Sequence, residues 1–91
     1  MKYLVHQKHR SSYEFETDCK ISFYVGVGYV NIEMFKPSYS IEYYFEINDD
    51  EDHNDFHILT WDKRVSVFLS DTVGARLMQE LQNVGIEVNE I

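Results

Sequence analysis

Residues 39–47 read YSIEYYFEI. Tyr39, Ile41, Tyr43, Phe45 and Ile47 share one parity, and Ser40, Glu42, Tyr44 and Glu46 share the other. Successive side chains of an extended chain leave on opposite faces, so this alternation marks a strand with one buried and one wet face. The same period runs through residues 12–25, SYEFETDCKISFYV, where the odd positions Tyr13, Phe15, Thr17, Cys19, Ile21, Phe23 and Val25 are mostly apolar. Glu14, Glu16, Asp18, Lys20 and Ser22 occupy the even positions. That stretch is too long for one ordinary strand, so a turn near Thr17 and Lys20 or a long bent strand is expected.

After residues 25–28, VGVG, the apolar set moves to the even positions Val30, Ile32 and Met34. Such a change of face needs a bulge or a turn, and Gly26 and Gly28 supply the backbone freedom for either. Pro37 and Ser38 break the chain before the strand of residues 39–47. Further on, FHILTW and RVSVFL flank Asp62 and Lys63 and read as a hairpin. Ser70 or Asp71 can cap a helix whose apolar stripe is Val73, Leu77, Met78, Leu81 and Val84, with Gly85 as its stop. Ile86, Val88 and Ile91 form a short last strand or a frayed tail. The expected fold is α+β: a mostly antiparallel sheet of five to six strands with one C-terminal helix packed on one face.

A chain of 91 residues has room for a single core, so residues 1–91 are read as one small acidic domain. Its 44% hydrophobic and 15% aromatic content is enough to fill that core, which excludes a disordered chain. No apolar run reaches the length of a spanning helix, and the start, MKYLVHQKHR, lacks the apolar stretch of a signal peptide. A lone Cys19 has no internal disulfide partner, and a reducing, cytoplasmic setting is expected.

The formal net charge is −8, which argues against direct nucleic-acid binding and against adhesion to anionic membranes. Its distribution says more. Lys2, Lys8 and Arg10 precede the first acid, whereas residues 37–62 contain no Lys or Arg. Within that base-free stretch lie Glu42, Glu46, Asp49, Asp50, Glu51, Asp52, Asp55 and Asp62.

Catalytic and metal chemistries fit this pattern poorly. In residues 48–55 the alternation of Asn48, Asp50 and Asp52 resembles the opening ligands of an EF-hand calcium loop. His53 then stands where that loop needs glycine, and Leu59 stands where it needs a bidentate Glu. His53 and His57 have the spacing of helical zinc ligands, but they fall at a loop-to-strand junction. Cys19 shares the apolar parity and reads as a small core residue rather than a nucleophile. The acids lie on wet phases, where solvent keeps them ionised, so none is set up as a general acid. No enzyme, resident metal or cofactor is expected.

What remains is the acidic surface. Glu14, Glu16, Asp18, Glu33, Glu42 and Glu46 all fall on solvent phases, and Tyr24, Tyr29, Phe35 and Tyr44 share them. Same-face residues of a strand lie about 6.6 Å apart, comparable to successive phosphates of a nucleic-acid strand. Plain solubility is the ordinary use of such charge. Like charges on neighbouring strands nevertheless repel, and exposed rings among them suit an interface.

In size, acidity and lack of catalytic motifs the chain resembles small decoy and inhibitor proteins: phage-encoded nucleic-acid mimics, anti-CRISPR proteins and toxin-immunity proteins. That resemblance implies a non-enzymatic inhibitor covering the basic surface of a nucleic-acid-binding protein or nuclease. Its contact residues are expected to be Glu42, Tyr44, Glu46, Asp49, Asp50, Glu51, Asp52 and Asp55, with Glu14, Glu16 and Asp18. The alternatives are an immunity protein for one cognate toxin, a metal-responsive module built on residues 48–55, and a subunit that uses its aromatics to form a homodimer.

Overall fold

The change of parity after residue 25 reflects an antiparallel pairing of the strands on either side. In the computed structural model β3 (Lys20–Gly26) pairs antiparallel with β4 (Tyr29–Lys36), and Gly26 lies opposite Tyr29. Odd positions of one strand therefore face the same way as even positions of the next. A second hairpin of the same register joins β4 to β5 (Tyr39–Glu46), with Tyr29 opposite Glu46 and Glu33 opposite Glu42. The structure describes residues 1–26, 29–36, 39–46 and 57–91, with the backbone alone at 25, 36, 39–41, 43 and 45.

The described strands number eight, in two sheets, rather than five to six in one. Strands β3, β4 and β5 form a three-stranded sheet. The other five are β1 (Lys2–Gln7), β2 (Tyr13–Glu16), β6 (His57–Trp61), β7 (Arg64–Leu69) and β8 (Val88–Glu90). They pair in the order β6-β7-β1-β2-β8. The expected break near Thr17 is where the chain leaves one sheet for the other. There the Cys19 amide donates to the Thr17 hydroxyl at 3.1 Å, and the Met1 ammonium donates to the Thr17 carbonyl at 2.8 Å.

Pairing is antiparallel throughout except at the centre of the larger sheet, where β1 runs parallel to β7. The alternation of β1 is short and its flanks are polar, which hid this strand within the basic N-terminus. The expected hairpin at Asp62 and Lys63 is present. Both residues take positive φ, 34° and 64°, the backbone twist that a two-residue hairpin turn requires.

Tyr3 and Val5 of β1, Tyr13 and Phe15 of β2, and Val65, Val67 and Leu69 of β7 are buried on one face of the five-stranded sheet. Two elements cover that face. Helix α1 (Asp71–Asn83) contributes Val73, Leu77 and Leu81, and β4 contributes Val30, Ile32 and Met34, to a single buried cluster. Ser70 caps the helix, its hydroxyl accepting from the Val73 amide at 3.3 Å. Gly85 ends it at φ 84°. Among the described residues no helix is long and apolar enough to cross a membrane.

The helix sits closely on the sheet because residue 74 is glycine. A Cβ there would run into the Gln7 side chain. The hydroxyl of the fully buried Tyr13 donates to the Gly74 carbonyl at 2.8 Å, joining β2 to the first turns of α1.

Burial pushes the Tyr13 hydroxyl far above the ordinary tyrosine value of 10.0. The folded state thus favours the neutral phenol more than the unfolded state does. Its contribution is fully present below pH 10 and is lost as pH rises further. In a spectrophotometric titration Tyr13 should ionise last, together with alkaline unfolding. Tyr13→Phe should cost about 0.5–1.5 kcal/mol at neutral pH, by urea melts, and should flatten the alkaline loss.

Candidate functional site: an acidic, tyrosine-bearing sheet face

The outer face of the three-stranded sheet is a regular grid. Its cross-strand rows follow from the register: Lys20 with Phe35; Ser22, Glu33 and Glu42; Tyr24, Asn31 and Tyr44; Gly26, Tyr29 and Glu46. Neighbouring strands are about 4.8 Å apart, and alternate residues along each about 6.7 Å. Inward-facing Val30, Ile32 and Met34 are fully buried beneath it, so the grid has a packed base.

Three tyrosines occupy one end. Tyr29 stacks on Tyr44 with ring centroids 5.2 Å apart and lies 6.0 Å from Tyr24 in a tilted arrangement. Tyr24 and Tyr44 keep 61% and 52% of their surface exposed, large values for aromatic side chains. Gly26 gives Tyr29 its seat: a Cβ at residue 26 would collide with the Tyr29 ring. Partial burial pushes the Tyr29 hydroxyl upward from the usual tyrosine value, and the phenols of Tyr24 and Tyr44 add to the shift. At the other end Phe35, itself exposed, carries the Lys20 ammonium 5.8 Å from its ring centre.

Three acids lie beside these rings. Glu42 and Glu46 are exposed on β5, with Tyr44 between them on the same face. Glu33 and Glu42 stand directly opposite one another on β4 and β5. Like charges so placed oppose folding by about 0.2–1 kcal/mol.

Of the expected contact residues, the structure unites Glu42, Tyr44 and Glu46 with Tyr24, Tyr29, Glu33 and Phe35 on this face. Asp49, Asp50, Glu51, Asp52 and Asp55 lie outside the described residues, as does the calcium- or zinc-binding reading of residues 48–55 and His53. Glu14 and Glu16 are exposed on β2, on the outer face of the other sheet, and do not join the grid. Asp18 is exposed in the bend between the sheets. Cys19 is half-buried in that bend and packs against the core. Among the described residues no three His, Cys, Asp or Glu side chains gather as metal ligands would.

Sequence reading did not single out Asn31 or the role of Gly26. Both follow from the register: a hairpin that pairs Gly26 with Tyr29 also sets Asn31 between Tyr24 and Tyr44. No family model, curated protein or solved structure matches the chain.

Relieving the opposed carboxylates should stabilise the protein. Glu42→Gln is expected to raise the unfolding free energy by about 0.2–1 kcal/mol at low salt, measured by urea melts. The gain should shrink as added salt screens the wild-type repulsion.

Proposed function

We propose that this chain is a non-enzymatic inhibitor that binds and blocks the basic, nucleic-acid-binding surface of a partner protein. The observation that carries this reading is the mixture on the outer face of β3-β4-β5. Carboxylates at Glu33, Glu42 and Glu46 are interleaved with exposed tyrosine rings on a regular, well-founded sheet.

The chemistry suits arginine above all. A guanidinium can form paired hydrogen bonds with a carboxylate and lay its flat face on an aromatic ring, whereas lysine offers only a point charge. Glu42, Tyr44 and Glu46 alternate along one strand, so neighbouring arginines can each find both kinds of contact. Nucleic-acid-binding surfaces carry clustered arginines to meet phosphates. The acid-rich residues 49–55 follow β5 in the chain and extend its negative charge in sequence. Long-range attraction then sets the association rate, and the desolvated rings set the lifetime of the complex.

This reading gives the like-charge strain a role. Opposed carboxylates cost stability in the free protein, and a cationic partner offsets that cost on binding. A purely solubilising surface has no need to place Glu33 against Glu42.

Capture of a partner from bacterial lysate on the immobilised chain, followed by titration of the purified pair, tests the reading. Affinity should fall about tenfold or more between low and physiological salt, and DNA or RNA should compete. Tyr44→Ala should shorten the complex lifetime about tenfold or more. Joint reversal of Asp49, Asp50 and Asp52 to Lys should abolish binding. Unchanged binding by that triple variant overturns the reading. Tight binding that nucleic acid does not displace points instead to an immunity protein fitted to one toxin.

A further inference from the structure

Strand β6 is unlike every other sheet edge among the described residues. All five of its residues, His57, Ile58, Leu59, Thr60 and Trp61, are exposed, although it is hydrogen-bonded to β7 along its length. Its other side has no described neighbour, because β6 ends the order β6-β7-β1-β2-β8. Leu59 is 54% and Trp61 42% exposed. Free edges normally carry devices against pairing, such as charge, proline or extreme shortness. Here β8 has only three residues and contains Glu90, β5 carries Glu42 and Glu46, and β3 begins at Lys20. Strand β6 has no Lys, Arg, Asp, Glu or Pro, and it carries large apolar residues on both faces, Leu59 and Trp61 on one and Ile58 on the other.

We propose that β6 is a docking edge for a second copy of this chain, joining two five-stranded sheets through an antiparallel β6–β6 pair. Antiparallel pairing of one strand with its own copy needs only a two-fold axis, so a single edge supplies both halves of the contact. Centring the pair on Leu59 uses all five residues. Leu59 then faces its own copy, Ile58 faces Thr60, and His57 faces Trp61.

Both faces of the sheet favour that register. On the outer face, His57 stacks on Phe68 at 4.1 Å between centroids, and Phe68 stacks on His6 at 4.4 Å. Directly opposed cross-strand residues have Cβ atoms about 5 Å apart. The partner's Trp61 therefore lands beside His57 and extends the row to four rings. On the inner face, Ile58 and Thr60 border an open cavity of about 520 Å³ that Tyr3, Phe23 and Val65 also line. A second strand beside β6 sets Ile58 and Thr60 of the other copy next to the Ile58 and Thr60 that border this cavity.

Charge separates this contact from the acidic partner-binding face. Each copy carries −8, so self-association is opposed by net repulsion and should tighten with salt. Binding of a basic partner should weaken with salt. One contact can fail while the other stands.

Sedimentation of the full chain at roughly 0.1 mM and physiological salt should give a particle of twice the 10.9 kDa chain mass. Trp61 is the sole tryptophan, so dilution should shift its emission to longer wavelength as the dimer separates. Leu59→Glu and Leu59→Lys should each be monomeric, because like charges meet at the two-fold axis, and an equimolar mixture of the two should regain the doubled mass. A wild-type monomer at that concentration, or emission that does not change on dilution, overturns the proposal. So does a dimer that persists in Leu59→Glu.

Discussion

The parallel pairing of β1 with β7 is the constraint from which the rest of the architecture follows. It sets Tyr3, Val5, Val65, Val67 and Leu69 side by side on one face of the central sheet. Two elements share that apolar surface. Helix α1 takes the end near Gln7 and Tyr13, where Gly74 permits close approach and the Tyr13 hydroxyl anchors it. Inward residues of β3 and β4 join the same buried cluster, and Phe23 meets Tyr3 at a ring separation of 6.2 Å. Folding the three-stranded sheet inward in this way obliges its other side to face solvent. The candidate site is that other side.

This arrangement explains how a small protein sustains an unfavourable surface. The Glu33–Glu42 opposition and the exposed tyrosines each work against folding or solubility, but only modestly. Beneath them Val30, Ile32 and Met34 are fully buried, and burying a side chain of that size is worth about 1.5–3 kcal/mol. A strain of a few tenths to one kcal/mol across β4 and β5 is easily carried. The hairpin registers then hold the carboxylates and rings at fixed spacing, so the face is ordered before any contact is made.

Much of this was legible in the sequence because strand parity is a direct consequence of extended geometry. The alternation in residues 39–46 and 20–36 placed Glu42, Tyr44, Glu46 and Tyr24 on the wet face, and the structure has them there. Ser70, the Val73–Leu77–Leu81 stripe and Gly85 likewise marked the helix, since capping and periodicity are local rules. What parity cannot encode is which strand pairs with which. Glu14 and Glu16 have the same pattern as Glu42 and Glu46, yet they belong to the other sheet. The break at residues 17–19 separates them, and nothing local distinguishes a turn within a sheet from a turn between sheets. The β1–β7 pair joins residues some sixty positions apart, and only the packed core selects it.

The central claim is that the β3-β4-β5 face, and not acidity in general, recognises clustered arginine. Titrating the isotopically labelled chain with a short arginine-rich peptide and following backbone amide NMR shifts tests it directly. Saturable shifts confined to residues around Tyr24, Tyr29, Asn31, Glu33, Glu42, Tyr44 and Glu46 and to the acid-rich residues 49–55 are expected, with Glu14 and Glu16 unmoved. Equal shifts at Glu14, Glu16 and Glu90, or none on the tyrosine-bearing face, would contradict the account.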